Sequence, residues 1–304
     1  MRGRKILKQA ALRILPIYNR GRLEPTRVNS FLEAVIINSE YGYWPDFKNP
    51  STYFELVNRE KLYGDFEKLA KLSDKWDIRN LVREKIGEQY LTRIIDIADA
   101  HDEIDEARYA GYPEQFVAKP NMASKRIYIN RTKNFPQFKK ETARFFDEFG
   151  NRNNEFHYKL IPKKIIIEEL LNPGYGELQE LKCLVFSGRL ELIAHTRNIY
   201  ESEREGSTTL RFYDRHWGEP PLQIRENLAA KINAPENLDE IIEQTEKLAA
   251  DFPFMRVDWY LANGELKFGE LTPIPRGGRS FNLNLADHKL LYEKYHMANC
   301  LIDS

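Results

Sequence analysis

The sequence predicts an α+β protein, with a helical N-terminal region followed by two α+β units. Three observations carry that prediction. Residues 30–72 pattern as helix, with breaks at Pro45 and Pro50. The middle of the chain holds short apolar strands that culminate in Ile165-Ile166-Ile167, a β-branched run suited to a strand buried on both faces. The last third combines strands with one amphipathic helix and closes on a hairpin. We place the units at 1–73, 74–168 and 169–304, since 304 residues suffice to bury more than one core.

The first element is a basic segment. Arg2, Arg4, Lys5, Lys8, Arg13, Arg20 and Arg22 have only Glu24 against them, interleaved with Ile6, Leu7, Leu12, Ile14 and Leu15. It lacks the long apolar run and small-residue cleavage site of a signal peptide. Two readings stay open: a basic amphipathic helix on an anionic membrane surface, or a solvated helix with no such role. Ser73 is expected to cap a helix from Asp74 to about Glu84. Gln115 to Ala118 reads as a strand, residues 120–126 as a hairpin loop and Ile127 to Asn130 as the return strand. Pro136 to Phe149 is expected as helix, stopped near Gly150. Beyond the loop Pro173-Gly174-Tyr175-Gly176, strands Leu181 to Phe186 and Leu190 to Thr196 flank a Ser187-Gly188 turn. Asn237 is expected to cap a helix whose Leu238, Ile241, Ile242, Thr245, Leu248 and Ala249 form a core stripe. Met255 to Leu261 and Glu265 to Leu271 make the closing hairpin about Asn263-Gly264.

Composition narrows the function. With 42% apolar and 30% charged residues the chain is too apolar for disorder. Its 46 basic and 46 acidic residues cancel, against the basic excess of a dedicated nucleic-acid binder. Cys183 and Cys300 sit in no CxxC or Cys/His pattern, so neither a disulfide scaffold nor a zinc site is indicated and a reducing cytoplasm fits. No apolar run approaches the roughly 20 residues of a membrane span. The expected location is cytoplasmic, peripheral at the inner face of the plasma membrane if the basic helix docks there.

The closing hairpin is the first candidate for chemistry. Arg256 and Asp258 share one strand face, while Val257, Trp259 and Leu261 share the other. A two-residue Asn-Gly turn sets Asp258 opposite Gly269, and a three-residue loop sets it opposite Glu270. In the second register Asp258, Tyr260, Phe268 and Glu270 lie together. Opposed carboxylates destabilise a sheet unless a cation sits between them, and hard oxygen donors on rigid strands suit Mg²⁺. Solvated acids on a surface hairpin are the alternative. Lys119 ends an apolar strand before a loop, where it can reach a phosphate. Lys182 lies within a strand and Arg197 follows one; each taken alone reads as an edge or solvent-facing residue ahead of a functional one. No GxxxxGK, GxGxxG or GxSxG occurs, and the six histidines lack HExxH spacing. His195, beside Arg197, reads as a satisfied structural histidine ahead of a substrate contact.

Order raises these signals above the background. The set comprises Tyr43-Trp44-Pro45, Asn49-Pro50-Ser51-Thr52, Ser73-Asp74-Lys75, Phe116-Val117-Ala118-Lys119 and Ile167-Glu168-Glu169-Leu170. It continues through Leu181-Lys182-Cys183, Phe254-Met255-Arg256-Val257-Asp258 and Phe268-Gly269-Glu270-Leu271-Thr272. Over about residues 40–285 it resembles the TupA-like branch of the ATP-grasp superfamily, found among cell-wall and capsule polysaccharide genes. The resemblance implies an ATP-grasp fold whose two α+β subdomains clamp ATP. It implies Lys75 and Lys119 as lid lysines on the phosphates, and Glu168, Glu169, Leu170 and Leu171 as the hinge that reads adenine and ribose. Lys182 and Arg197 are implied as cations flanking the transferred phosphoryl group, with Arg256 beside them, and Asp258, Glu270 and Thr272 as magnesium ligands. Two departures stand out. The lid loop, glycine-rich in relatives, reads Pro120-Asn121-Met122-Ala123-Ser124-Lys125-Arg126, and Thr272 stands where most ATP-grasp enzymes have Asn.

The function so implied is a Mg-ATP-dependent carboxylate–amine ligase acting through an acyl phosphate. It would add an amino acid or amine to a surface polysaccharide or its precursor. Its partners would be a carboxylate-bearing sugar or glycan and an amine, with no nucleic acid. The rivals are a sugar or glycan kinase using the same site, a glycosyltransferase of cell-surface polysaccharide synthesis, and a non-catalytic nucleotide-binding regulator.

Overall fold

The N-terminal region resolves into four helices: α1 (Arg2–Tyr18), α2 (Arg27–Tyr41), α3 (Tyr53–Tyr63) and α4 (Phe66–Ser73). The structure, a computed structural model, describes residues 2–122, 126–146, 153–171, 176–200, 208–223, 229–262, 264–279 and 283–296. Helix α1 packs on α2 through Ala11, Leu15, Leu32 and Ile36. Thr52 caps α3 within a node built on buried Glu55, whose carboxylate accepts from the Tyr43 hydroxyl, the Asp46 and Ser51 N–H groups, and the Ser51 and Thr52 hydroxyls. The Tyr43 to Thr52 motifs thus hold the chain together ahead of α3. No helix among the described residues is long and apolar enough to cross a membrane.

The first sheet follows α5 (Ile78–Lys85). It comprises β1 (Ile94–Ala98), β2 (Phe116–Pro120), β3 (Tyr128–Asn130) and β4 (Ile165–Glu168), all antiparallel, in the order β1-β4-β2-β3. Helices α6 (Glu106–Ala110) and α7 (Phe135–Thr142) cover one face. There Tyr109 and Phe138 bury Phe116, Ala118, Ile165 and Ile167. Strand periodicity then puts Val117, Lys119, Ile166 and Glu168 on the opposite face.

The second sheet comprises β5 (Gly176–Phe186), β6 (Arg189–Tyr200), β7 (Thr208–Asp214), β8 (Phe254–Ala262) and β9 (Glu265–Thr272), in the order β7-β6-β5-β8-β9. Helix α8 (Leu238–Ala249) packs Ile241 and Leu248 on one face, over Leu181, Cys183, Val257 and Trp259. On the other face α3, α4 and α9 (Leu285–His296) bring Tyr53, Leu69 and Leu291 onto Leu184, Phe186 and Phe254. The rest of that face carries Lys182, Asp258, Tyr260 and Glu270 toward the first sheet.

Several boundaries differ from expectation. Ser73 ends α4 and caps nothing. The Asp74 carboxylate takes the Trp76 and Asp77 N–H groups in a turn that delays α5 to Ile78, because it is also bound by Asn121 from the first sheet. Helix α7 stops at Thr142, whose hydroxyl bonds back to Phe138, and residues 147–152 lie outside the described residues. Asn237 makes no side-chain cap; its carbonyl accepts from Ile241.

The closing hairpin reaches its expected pairing by another route. Its connection is the two-residue one, with Ala262 paired to Glu265, yet Asp258 still faces Glu270. A bulge makes the difference: Trp259 pairs with Phe268, and Gly269 is the extra residue. A Cβ on Gly269 would stand 3.0 Å from the Asp258 carbonyl and 3.2 Å from the Tyr260 ring, so the close approach favours glycine and a larger residue would push its neighbours back by a few tenths of an ångström. The same bulge sends Phe268 into the core against Trp259, away from Asp258.

Candidate active site

Three strands lay side chains in rows across the cleft face of the second sheet. Lys182, Asp258 and Glu270 form the central row. Leu184, Arg256 and Thr272 lie on one side of it, and Glu180, Tyr260 and Lys267 on the other. Arg256 ties the acids together. Its Nε and one terminal nitrogen donate to Asp258 at 2.6 and 2.7 Å, and the same terminal nitrogen reaches Glu270 at 2.8 Å. Lys182 lies 2.6 Å from Glu180 and 3.2 Å from Asp258. The Thr272 hydroxyl donates to Glu270 at 2.9 Å. The opposed carboxylates are tolerated because cations bridge them.

Lys75 enters this cluster from the front half of the chain. Its backbone N–H donates to the Asn121 carbonyl just past β2, and its ammonium is 2.9 Å from Glu270. Three cations, Lys75, Lys182 and Arg256, thus meet three carboxylates, Glu180, Asp258 and Glu270. Access is uneven: Asp258 is 1% exposed and Glu270 26%. Burial works to raise the Glu270 pKa, but Lys75, Arg256 and Lys182 outweigh it and hold this carboxyl well below its ordinary range. Burial likewise opposes the Lys182 charge, and Asp258 with Glu180 keeps its pKa above the usual value.

Across the cleft, Lys119 pairs with Glu168 at 2.5 Å, and the second Glu168 oxygen accepts from Thr92 at 2.8 Å. Glu169 extends the β1–β4 pairing: its N–H donates to the Arg93 carbonyl and its carboxylate accepts the Arg93 N–H. Leu170 and Leu171 follow, half-buried. The two faces meet at Tyr260. Burial raises its pKa, and Glu180, Glu270 and Asp258 from its own sheet together with Glu168 from the other raise it further. One phenol therefore feels carboxylates from both sides of the cleft.

Asn121 binds the lid loop to the Lys75 turn. Its amide donates to Asp74 and to the Pro162 carbonyl, and its side-chain oxygen accepts from Lys164. Sequence reasoning marked the loop only for its missing glycine. Lys125 lies outside the described residues. Arg197 sits in β6 opposite Gln179, but its side chain is likewise outside the description. His195 is 2% exposed and bonds Gln179 at 3.2 Å, a structural role.

Sequence reasoning also missed a second charged node beneath the site. Lys61 is fully buried, 2.8 Å from buried Glu33 and 2.6 Å from the Gly277 carbonyl, and Asn58 donates to the Gly278 carbonyl at 2.7 Å. These bonds hold the loop that follows Glu270 and Thr272. In that loop Arg276, Gly277 and Gly278 adopt φ of 53°, 64° and 74°, a left-handed run whose non-glycine member is strained. The available signal was a lysine at helical spacing, i+7 and i+4, from the core residues Phe54 and Val57 of α3.

Asp258, Glu270 and Thr272 are the groups that fit a divalent cation. They offer hard oxygens alone, on rigid strands, and the acids already act as a cation site for arginine and lysine. Among the described residues no group of three or more His, Cys, Asp or Glu residues completes a metal cage. Magnesium, which takes one or two carboxylates and fills its octahedron with phosphate and water oxygens, suits such a half-site.

A family profile described as TupA-like ATPgrasp matches residues 55–294. No functionally curated protein matches. Among solved structures, D-alanine–D-alanine ligase from Bacillus anthracis is similar at 15% identity and a TM-score of 0.44, over 77% of this chain and 68% of that one. The ATP-grasp ligase PsnB, complexed with a phosphomimetic variant of its minimal precursor, Mg and ADP, is similar at 13% identity and 0.41, over 90% and 67%. L-amino acid ligase from Bacillus licheniformis is similar at 9% identity and 0.41, over 77% and 48%.

Proposed function

Because the chain belongs to the TupA-like ATP-grasp family, we propose that it is a Mg-ATP-dependent carboxylate–amine ligase. One observation carries the reading: Lys75 from the front half is ion-paired to Glu270 on the rear hairpin, inside a cluster of exchangeable charges. A triphosphate entering the cleft takes over the cations, and the freed carboxylates are the metal-binding groups.

The reaction is mostly positioning and charge neutralisation. An acceptor carboxylate oxygen attacks the γ-phosphorus of ATP, the bond to the β-phosphate oxygen breaks, and ADP leaves. The resulting acyl phosphate is attacked by an amine, which loses a proton as inorganic phosphate departs and the amide forms. Lys75 and Lys119 neutralise the phosphates. Lys182 and Arg256 face the transferring group; a positioned arginine is worth about 10³–10⁵ in rate in other phosphoryl-transfer enzymes. Asp258, Glu270 and Thr272 would hold magnesium, which would supply further neutralisation of phosphate oxygens. Glu168 to Leu171 form the adenine and ribose hinge. The acceptor we place among carboxylate-bearing sugars or glycans of surface polysaccharide synthesis and the donor among amino acids and small amines, on family analogy alone.

The test is incubation with ATP, a panel of uronic-acid acceptors and hydroxylamine. A ligase releases ADP and inorganic phosphate and accumulates a hydroxamate. Phosphate retained on the sugar would replace this reading with the kinase, and nucleotide binding without turnover on any acceptor would favour the regulator.

A further inference from the structure

Helix α1 has two apolar faces, and only one is covered. Ala11 and Leu15 are buried against Leu32 and Ile36 of α2. On the other side Ile6, Leu7, Ile14 and Ile17 are 64%, 58%, 47% and 78% exposed. At roughly 100° per residue these four, with Gly3 and Ala10 between them, form one stripe about 100° wide. Arg13 lines an edge of that stripe, Arg20 continues the same edge in the turn that follows the helix, and both are exposed. No acidic residue precedes Glu24, although the whole chain is neutral. The helix lies outside residues 55–294 of the family match, and it supplies none of the candidate site residues.

A helix kept in water would carry polar groups on its outer face, not four large aliphatic side chains. An aliphatic stripe rimmed by cations complements a surface that is apolar below and anionic above. We propose that α1 docks the protein on an anionic phospholipid surface, lying in its plane with Ile6, Leu7, Ile14 and Ile17 in the headgroup–acyl boundary and the basic rim on lipid phosphates. This goes beyond the ligase reading and stands without it. The rival occupant of the stripe is a second copy of the chain.

The test uses the full chain and vesicle flotation. The chain should float with vesicles of phosphatidylglycerol and phosphatidylcholine in equal parts, remain in solution with phosphatidylcholine alone, and be released by high salt. The double variant Ile14→Asp with Ile17→Asp should lose at least about tenfold in partitioning, with melting temperature and nucleotide turnover in solution unchanged. Replacing Arg13 and Arg20 by Glu should abolish the preference for anionic vesicles. The proposal is overturned by equal binding to both vesicle types, by no flotation at all, or by variants that bind like the parent. A dimer in sedimentation that the aspartate variant dissociates would hand the stripe to the second copy.

Discussion

Two lysine–glutamate pairs of nearly the same length occupy opposite situations in this protein. Lys61 and Glu33 stand 2.8 Å apart with both side chains 0% exposed. Lys75 and Glu270 stand 2.9 Å apart with 13% and 26% exposed. The sealed pair is completed mainly by neutral groups, the Gly277 carbonyl on the lysine and the Asn154 amide on the glutamate, with the Arg279 guanidinium 3.5 Å from the same carboxylate. The cleft pair is completed by other charges, Arg256 on the glutamate and a chain of carboxylates beyond it. Distance therefore does not separate structure from function here. A sealed pair has no partner to exchange, whereas each member of the cleft pair can leave the other for a phosphate or a metal. Breaking the first should damage the fold, and breaking the second the chemistry.

The largest expected effect is in the cleft. Glu270→Gln, and separately Lys119→Ala, should lower ATP-dependent turnover by at least about 10³-fold, with a melting temperature close to that of the parent. Full activity in either would count heavily against the site. On the sealed side Lys61→Ala leaves the Glu33 carboxylate buried without its nearer cation, with only Arg279 at 3.5 Å, and should cost about 3 kcal/mol in denaturant unfolding. The double change Lys61→Met with Glu33→Gln should recover part of that loss, because an uncompensated charge is worse than none.

Acid should separate the two regions further. Burial, with Lys61 nearby, pushes His157 down to about 3 from its ordinary 6.5. Below pH 6.5 the unfolded chain takes up a proton that the folded protein refuses. Stability should thus fall at about 1.4 kcal/mol per pH unit on acidification, a slope that His157→Phe removes in melts compared at pH values either side of that window. Glu270 behaves oppositely. Its pKa is lowered from 4.5, so its contribution is present above that value and is lost only as pH falls through the lowered one. Nucleotide binding should therefore persist where stability is already declining, which equilibrium dialysis and melting on the same samples would check. The smallest effect is at the bulge. Gly269→Ala should cost about 1 kcal/mol of stability while shifting the Asp258–Glu270 pairing enough to raise the metal requirement, read as a higher magnesium concentration for half-maximal turnover.

How much of this was legible follows from the range of each interaction. Strand alternation placed Arg256 beside Asp258, and the β-branched run at Ile165 announced β4, because side-chain direction repeats locally. The pairing of Asp258 with Glu270 was anticipated, but from a loop length the protein does not use; the bulge at Gly269 does the work. The expected cap at Ser73 yielded to Asp74 because Asn121, far along the chain, competes for that turn. Lys61 carries no signal of its partners in the sequence, since nothing within α3 tells that Glu33 and Gly277 will close over it.

The amino-acid sequence by itself determined which residues share a face of each helix and strand, and the order in which the charged motifs arrive. Only the tertiary structure decided which residue stands opposite which, and which of two similar ion pairs keeps contact with solvent. Periodicity is a property of neighbouring residues, whereas register and burial are settled by contacts between segments far apart in the chain, such as Lys75 with Glu270 or Lys61 with Gly277.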